Sequence, residues 1–271
     1  MTMTPVAKLL CPLALVALSA CGGGGGGGGT EPDLPAFADP AATGTTALTA
    51  ASLDSAARST SGLSGTLNHD ADTFSIGTLS GGINAARTQV VLDGGGQVTL
   101  TPGDTAFAVT FEAVPVGADR TIGVVGVATP AAEMPGTGAV TYTGTSQVTL
   151  QDGTSLFELT GDASVVARFG EGTVATTVSG LSGTQTTGLA APVAVTDVAT
   201  IGFTGSTISG TTFSGGTPTV TSGSVAGLSG AEASSLDGAF YGPGATEVGA
   251  VFVIDDSASG SLTGFGVVLA Q

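Results

Sequence analysis

The sequence is poor in the side chains from which nucleic-acid sites and most catalytic sites are built. It contains one histidine, no tryptophan, and five lysines and arginines together against 21 aspartates and glutamates, so its net charge is −16. Contacts to phosphate need clustered lysine and arginine, and we therefore expect no nucleic-acid partner. Lys8 is the only lysine. If it is removed with a leader peptide, no lysine remains for a Schiff base or a Ser-Lys dyad.

The single histidine limits the chemistry further. A Ser-His-Asp triad or a zinc site would have to use His69, which stands between Asn68 and Asp70 in a turn-like segment. We interpret it as an exposed loop histidine, and we predict no catalytic residue, no metal ligand and no cofactor, so that the protein is not an enzyme. Calcium stays open because it needs only oxygen ligands. Its candidate positions are 70–72 and 255–256, where aspartate at strand ends is also ordinary turn chemistry.

Residues 1–20 have the parts of a secretory signal. Lys8 gives a weakly positive start, an apolar run follows at 9–18, and small residues precede Cys21. The apolar run is far shorter than the roughly 20 residues that cross a bilayer. We therefore predict a cleaved leader over 1–20 rather than a membrane span.

The tetrapeptide Leu18-Ser19-Ala20-Cys21 resembles the lipobox of bacterial lipoproteins. This resemblance implies that Cys21 carries lipid, palmitate included, and becomes the first residue of the mature chain. The alternative is ordinary cleavage that leaves an exposed thiol. Two or more acyl chains anchor a protein stably in a membrane. Because Cys11 would leave with the leader, no cysteine would remain for a disulfide, and stability would rest on core packing and strand ladders.

A glycine-rich stretch follows the cysteine. Residues 22–29 are eight consecutive glycines, which lose too much entropy on ordering to form a regular element, and prolines within 30–40 stiffen the exit. We predict a disordered tether over 21–44. Gly22 stands where an aspartate would alter sorting in Gram-negative lipoproteins. This resemblance implies a lipid-anchored, surface-exposed protein of the outer membrane.

After the tether, apolar and polar residues alternate almost everywhere with the period of a β-strand. One face of 141–150 carries apolar side chains and the other carries mostly threonines. Asp152-Gly153 predicts a hairpin turn, after which strands at 155–169 and 173–179 continue the same apolar face. Small residues such as Gly161 on that face suit the narrow interior of a closed barrel. Further strands are predicted at 121–128, 198–204, 207–213, 217–226, 247–254 and 261–269.

The first half has shorter strands of the same kind, together with one stretch that does not alternate. The strands are predicted at 72–79, 88–92, 97–101 and 107–111. The alanine-rich stretch at 47–57 indicates a short helix instead. Pro130 and Pro135 then interrupt the alternation. We therefore predict a smaller β-rich domain over 45–129 and a second domain over 130–271.

The tetrapeptide Gly-Leu-Ser-Gly occurs three times, at 62–65, 180–183 and 227–230. A solenoid needs a fixed short period, and these spacings are unequal. We interpret the three copies as recurring turns at strand ends.

Three stretches of the second half resemble a known family. Residues 237–252, with Phe240-Tyr241-Gly242-Pro243 and Glu247-Val248-Gly249, resemble the late-barrel signature of transferrin-binding protein B-like lipoproteins. Ala250 replaces a second glycine that is usual there. Residues 134–144 resemble the start of the same barrel, and 262–269 resemble its last strand. The resemblance implies an all-β fold, with a C-terminal eight-stranded antiparallel β-barrel preceded by a smaller handle-like domain.

The resemblance implies binding rather than catalysis. Members of the family capture host iron proteins, haem proteins or complement regulators, and none of these ligands transfers to this chain. We expect a monomeric, membrane-anchored surface lipoprotein that acts as a non-catalytic binding module for an unidentified protein or small molecule, such as a host or environmental protein, iron or haem source. The alternative is a structural or adhesive surface protein without a soluble ligand, which the Thr/Gly/Ala-rich composition favours. Phe240, Val248 and Phe252 are expected to fill one end of the barrel, and Gly242-Pro243-Gly244 to form a tight turn.

Overall fold

The structure of the chain is a computed structural model that describes residues 34–225, 228, 234–258 and 260–271. Within these residues the regular structure is β-strand, with two 3-10 turns at Ala131–Glu133 and Pro243–Ala245 and no α-helix. Accordingly, no helix in the described part of the chain has the length and apolar character needed to cross a membrane.

The N-terminal half forms a closed barrel, hereafter the first barrel. Its strands are β1 (Thr45–Asp54), β2 (Ser59–Asn68), β3 (Thr73–Ile76), β4 (Leu79–Ile83), β5 (Gln89–Leu92), β6 (Gly96–Pro102), β7 (Ala108–Pro115) and β8 (Thr121–Val127). Each strand is antiparallel to the next, and β8 pairs with β1 to close the sheet. Alternate side chains fill the interior, which is typical of strands with one dry face. They include Leu67, Phe74, Ile76, Val90, Val98, Leu100 and Val125.

The C-terminal half forms a second sheet of ten strands. These are β9 (Ala139–Asp152), β10 (Ser155–Arg168), β11 (Thr173–Thr187), β12 (Val193–Val195), β13 (Ala199–Ser209), β14 (Thr212–Ser214), β15 (Thr217–Ser222), β16 (Ser235–Tyr241), β17 (Glu247–Asp255) and β18 (Leu262–Ala270). Because β11 pairs with both β10 and β13, eight of these strands close into a ring, and β12 and β15 are attached to it as extra strands. The predicted C-terminal eight-stranded antiparallel barrel is confirmed, and we refer to it as the second barrel.

The interior of the second barrel follows the predicted alternation. On β9 the buried side chains are Tyr142, Ser146, Val148 and Leu150, and they continue across β10 and β11. Gly161 on β10 faces this interior, and a Cβ there would lie 2.5 Å from the carbonyl oxygen of Ser179. The small residues therefore allow strands to approach closely in a narrow barrel.

The strands of both barrels run between the same two ends of the molecule, which we call proximal and distal. At the proximal end, where residues 34–44 lead into β1, the backbone N–H of Gly242 donates to the carbonyl of Val127 over 3.1 Å. At the opposite, distal end, the hydroxyl of Thr60 donates to Oγ of Ser235 over 3.0 Å. The connections of the distal end include 55–58, 93–95, 116–120, 153–154 and 188–192.

The helix predicted over 47–57 is wrong, because this stretch forms β1 and the turn after it. The second half of β1 is buried on both faces. Leu48 and Ala50 face the interior of the first barrel, whereas Ala51 and Leu53 face the second barrel. A strand that is covered on both sides loses its polar alternation. Tertiary packing thus overrides the helix preference of its alanines.

The interpretation of Gly-Leu-Ser-Gly as strand-end turns is also wrong where the structure describes it fully. The copy at 62–65 lies within β2, and the copy at 180–183 lies within β11. A Cβ on Gly65 would lie 1.9 Å from the carbonyl oxygen of Ser75, and one on Gly183 would lie 2.1 Å from that of Glu158. In these two copies the last glycine therefore permits close approach of a neighbouring strand.

One predicted turn is misplaced. The sequence predicts separate strands at 198–204 and 207–213, but β13 runs through Gly205 without a break. Gly205 adopts a positive φ of 75°, and the pairing of β11 with β13 shifts register between Val174 and Thr176. A glycine in this conformation supports a β-bulge inside a strand rather than a turn between two strands.

Candidate functional site

The predicted lipid anchor lies outside the described residues. This applies to Cys21, to the leader over 1–20 and to the tether as far as residue 33. The lipidation of Cys21 therefore stays a prediction. Residues 34–44, which the sequence assigns to the tether, are described, and Phe37 among them is buried in the core of the first barrel.

His69 is buried, and the prediction of an exposed loop histidine is wrong. The residue is 7% exposed, and its Nε2 lies 2.9 Å from Oγ1 of Thr46. It does lie in the connection between β2 and β3, as expected, and there the carbonyl of Gly44 accepts its backbone N–H over 2.9 Å. Burial and the nearby Arg87 cation lower the pKa of His69.

The aspartates proposed for calcium make other contacts. Asp70 accepts a backbone N–H over 3.0 Å, and Asp72 forms an ion pair with Arg87 over 2.9 Å. In the second candidate position, Asp255 accepts the backbone N–H of Ser257 over 3.0 Å. No cluster of three or more His, Cys, Asp or Glu side chains suited to a metal ion occurs in the described part of the chain.

The two barrels pack side by side through an apolar contact surface. On the first barrel it is formed by β1, β7 and β8, and on the second by β16, β17 and β18. Its buried residues are Ala51, Leu53, Ala108, Ile122, Val124, Ala239, Tyr241, Val251, Val253, Val267 and Leu269. These side chains point out of each barrel, so the strands that carry them are buried on both faces. The two barrels therefore share one continuous apolar contact.

Glu247 joins the barrels through hydrogen bonds. It begins β17, is 3% exposed, and its carboxylate accepts the backbone N–H groups of Ala106 over 2.6 Å, Phe107 over 3.0 Å and Ala108 over 2.9 Å. Burial raises the pKa of Glu247, while the three N–H donors act in the opposite direction. The carboxylate thus provides the hydrogen-bond acceptor for three backbone N–H groups at the start of β7 and in the loop before it.

Two glycines fit the barrels together. A Cβ on Gly126 would lie 2.6 Å from Cδ1 of Tyr241, and one on Gly249 would lie 2.5 Å from Cγ1 of Val124. Both distances are too short for two carbon atoms that are not bonded, so the neighbouring side chain would have to move. The contact surface therefore needs a bare backbone at both positions.

A cleft of about 380 Å³ opens between the barrels, bounded on one side by β6–β8 and on the other by β9–β11 and β18. Its walls are threonine-rich, and its charged groups are the ion pair between Arg120 and Glu112, 2.8 Å long, and Glu158 on the opposite wall. Phe265 and Val267 contribute apolar lining. Clefts between domains are common places for ligands, so this is one candidate contact region.

The distal end carries a second candidate region, defined by exposed apolar side chains. Among the described residues, the large exposed hydrophobics are Val91, Val114, Val116, Val140, Leu156, Leu189 and Val193. All except Val140 lie at or next to distal connections. Leu189 and Val193 are 107% and 56% exposed. Because these exposed apolar groups share one end of the molecule, that end is a candidate contact surface, which we refer to as the distal surface.

Sequence reasoning missed the distal surface, although one signal was available. Residues 172–196 contain no charged side chain in a chain of net charge −16. The connection at 188–192 lies within this uncharged run, together with Leu189 and Val193. That these residues share one end with Val116 follows only from the strand pairings.

A family comparison identifies the second barrel. Residues 134–271 match the family model described as the C-lobe and N-lobe beta barrels of Tf-binding protein B. The chain belongs to this transferrin-binding protein B barrel family. The match spans half of the chain, and no curated protein matches the sequence.

Solved structures with a similar fold include two mutants of transferrin-binding protein B from Haemophilus parasuis Hp5. A single mutant shares 17% identity and a TM-score of 0.51, with 83% of this chain and 45% of that chain covered. A double mutant shares 16% identity and a TM-score of 0.52, with 83% and 44% covered. This chain thus spans less than half the length of those proteins, and the likeness shows the fold.

The residues of the family signature have structural roles in this member of the transferrin-binding protein B barrel family. Phe240, Val248 and Phe252 are fully buried in the core of the second barrel, where Phe240 packs against Phe169 and Phe213 and Phe252 packs against Phe203. Gly242-Pro243-Gly244 forms the predicted turn, with Gly242 at a φ of 71°. Ala250, which departs from the family pattern, is also buried in this core, where its methyl group is accommodated.

Proposed function

We propose that the protein is a surface lipoprotein of the outer membrane, anchored through lipid on Cys21, that binds a partner without catalysis. The observation that carries the binding role is the distal surface. Its apolar side chains lie at the end opposite to the one where residues 34–44 enter the first barrel. A module tethered at its proximal end would present this surface away from the membrane.

A protein is the partner class that we favour. The distal surface combines exposed apolar side chains with loops from both barrels, which suits a protein surface better than an enclosed small molecule. The similar structures are named as transferrin-binding proteins. By this analogy, a host or environmental protein that carries iron or haem is the ligand to test first.

The proposal of a non-catalytic role rests on the state of the one histidine. His69 is 7% exposed and lies against Thr46, so it is not positioned to accept a proton from a bound substrate. This burial supports a role in binding rather than in catalysis through His69.

The experiment is a binding assay on cells that display the full chain. Labelled iron-loaded transferrin, haemoglobin, haem and serum proteins are offered to cells with the wild-type protein or with Leu189→Asp and Val193→Asp. Because both side chains are exposed, these changes should alter stability by no more than about 0.5 kcal/mol. Val140→Asp is the matched control, since Val140 is an exposed valine at the proximal end.

We expect saturable binding of one soluble partner that the two distal substitutions weaken at least tenfold and that the control leaves unchanged. Equal loss with Val140→Asp would show that the distal surface is not the contact region. The alternative function, a structural or adhesive protein, predicts that no soluble partner is retained while display of the chain still promotes attachment of cells to surfaces. Its support is the Thr/Gly/Ala-rich β composition.

A further inference from the structure

Residues 34–44 form a strap across the proximal end of the first barrel. Phe37 is 1% exposed and belongs to the core of that barrel, where Leu34 packs against the same cluster. The backbone N–H of Phe37 donates to the carbonyl of Ala106 over 2.9 Å. The strap therefore fills the open end of the barrel with an aromatic side chain and connects the folded unit to the preceding chain.

The end of the strap is fastened at His69 and its neighbour. The carbonyl of Gly44 accepts the backbone N–H of His69 over 2.9 Å, and the N–H of Gly44 donates to the carboxylate of Asp70 over 3.0 Å. The ring of His69 lies against Thr46, the second residue of β1, with 2.9 Å between Nε2 and Oγ1. The same histidine thus holds the strap through its backbone and the start of β1 through its ring.

The surroundings of the His69 ring disfavour its charged form. Its Nδ1 is buried and has no hydrogen-bond partner, and the same is true of Nη1 of Arg87. The charged groups that act on the ring are Arg87, which disfavours a second cation, and the carboxylates of Asp39 on the strap, Asp70 and Asp72, which favour one. Burial and Arg87 outweigh the carboxylates and lower the pKa of the ring.

We propose that His69 is a proton-operated latch, and that protonation of its ring at mildly acidic pH releases the strap from the proximal end of the first barrel. In the step, the ring nitrogen that carries no hydrogen takes a proton from water, and an imidazolium with two N–H donors results. Thr46 can accept from the N–H at Nε2, while the N–H at Nδ1 has no acceptor. An unpaired buried charge is costly, so the released form, in which water solvates the ring, gains population.

The direction of the pH dependence follows from linkage. The folded pKa of His69 is lowered, so the released form binds more protons than the docked form below the ordinary value of 6.5. Docking of the strap is therefore complete above pH 6.5 and weakens as the pH falls toward the lowered pKa. Release adds residues 34–44 to the tether, a gain in reach of at most roughly 40 Å for an extended chain.

The experiment exploits the fact that His69 is the only histidine in the chain. Using the full chain without a histidine tag, its ring is titrated by NMR. Hydrogen exchange at Phe37 and Gly44 is measured between pH 7.5 and pH 5 and corrected for intrinsic exchange. We expect a ring pKa below 6.5 and an opening constant for the strap that rises by up to about tenfold per pH unit below that value.

His69→Gln provides the matched variant, because its amide can keep the contact to Thr46 and does not titrate. We expect its strap to exchange at a rate independent of pH over the same range after the correction. Amides in the second barrel, such as that of Phe240, should show no such dependence in either protein. A ring pKa at or above 6.5, a wild-type strap whose protection is constant with pH, or an unchanged pH slope in the variant would each overturn the latch. If the variant fails to fold, the wild-type titration and exchange data decide alone.

Discussion

Glu247 of the second barrel accepts the backbone N–H of Ala108, in the first barrel, over 2.9 Å. The same carboxylate also accepts the N–H groups of Ala106 and Phe107. Ala106 and Phe107 lie in the loop before β7, and Ala108 is the first residue of that strand. A residue of the family signature is thus explained by its contact with the other barrel rather than by a ligand.

The first prediction concerns this carboxylate. Glu247→Ala leaves three N–H groups of the buried loop without an acceptor, and hydrogen bonds to charged groups contribute about 1.5–3 kcal/mol each at most. We expect a loss of about 3 kcal/mol in the free energy of unfolding, measured by chemical denaturation. Glu171→Ala, in an exposed turn, is the control and should cost no more than about 0.5 kcal/mol. Equal losses in both variants would show that the contact between Glu247 and the loop is not stabilising.

The second prediction tests the fit of the two barrels. Gly249→Ala places a methyl group 2.5 Å from Cγ1 of Val124, so the barrels must separate locally or Val124 must move. Overpacking of this kind costs about 1–3 kcal/mol. Gly82→Ala on β4 is the control, since a Cβ there meets nothing within 4 Å. Thermal denaturation should show a lower melting temperature for Gly249→Ala alone; a melting temperature equal to that of the control would contradict the packing.

The third prediction compares the two tyrosines of the chain. The hydroxyl of Tyr142 donates to the carbonyl of Ala245 over 2.7 Å, whereas that of Tyr241 donates to the carbonyl of Val124 over 3.4 Å. Burial raises the pKa of Tyr142 to about 12 and also raises that of Tyr241. Tyr142→Phe should cost about 1 kcal/mol of stability because a buried carbonyl loses a short hydrogen bond.

Tyr241→Phe is the matched variant for that comparison. Its longer hydrogen bond should contribute less, so the loss in the free energy of unfolding should be smaller than for Tyr142→Phe. Both variants keep the ring and therefore the packing. A larger loss for Tyr241→Phe would contradict the order of the two hydrogen bonds.

The strands that the sequence predicts best are those with one dry and one wet face. On β9 to β11 the inner residues are mostly buried and the outer ones are mostly polar or charged, so the period of two is visible in the chain itself. The signature around Gly242 also predicts the family and the position of the tight turn. Local pattern is therefore sufficient for the fold class and for most of the second barrel.

What the sequence does not predict depends on contacts between distant residues. The sequence of β1 resembles that of a helix because the second half of the strand is buried on both faces. One face packs in the first barrel and the other packs against the second barrel. His69 resembles an exposed loop residue because its contacts come from distant residues, the backbone of Gly44 and the side chain of Thr46. Closure of the first barrel between β1 and β8, and the gathering of exposed apolar residues at the distal end, follow from strand pairing, which a single sequence does not reveal.

The last prediction concerns the anchor. If Cys21 carries the lipid, Cys21→Ser should move most of the protein from the membrane fraction to the soluble fraction. Each buried CH₂ of an acyl chain contributes roughly 0.8 kcal/mol to membrane binding, and a loss of all chains leaves a strongly acidic protein without attraction to anionic lipid. Cys11→Ser is the matched control, because Cys11 lies in the predicted leader and should not affect anchoring. Labelling with radioactive palmitate should mark the wild type and the control but not Cys21→Ser. Retention of Cys21→Ser in membranes after a high-salt wash would show that another part of the chain provides the attachment.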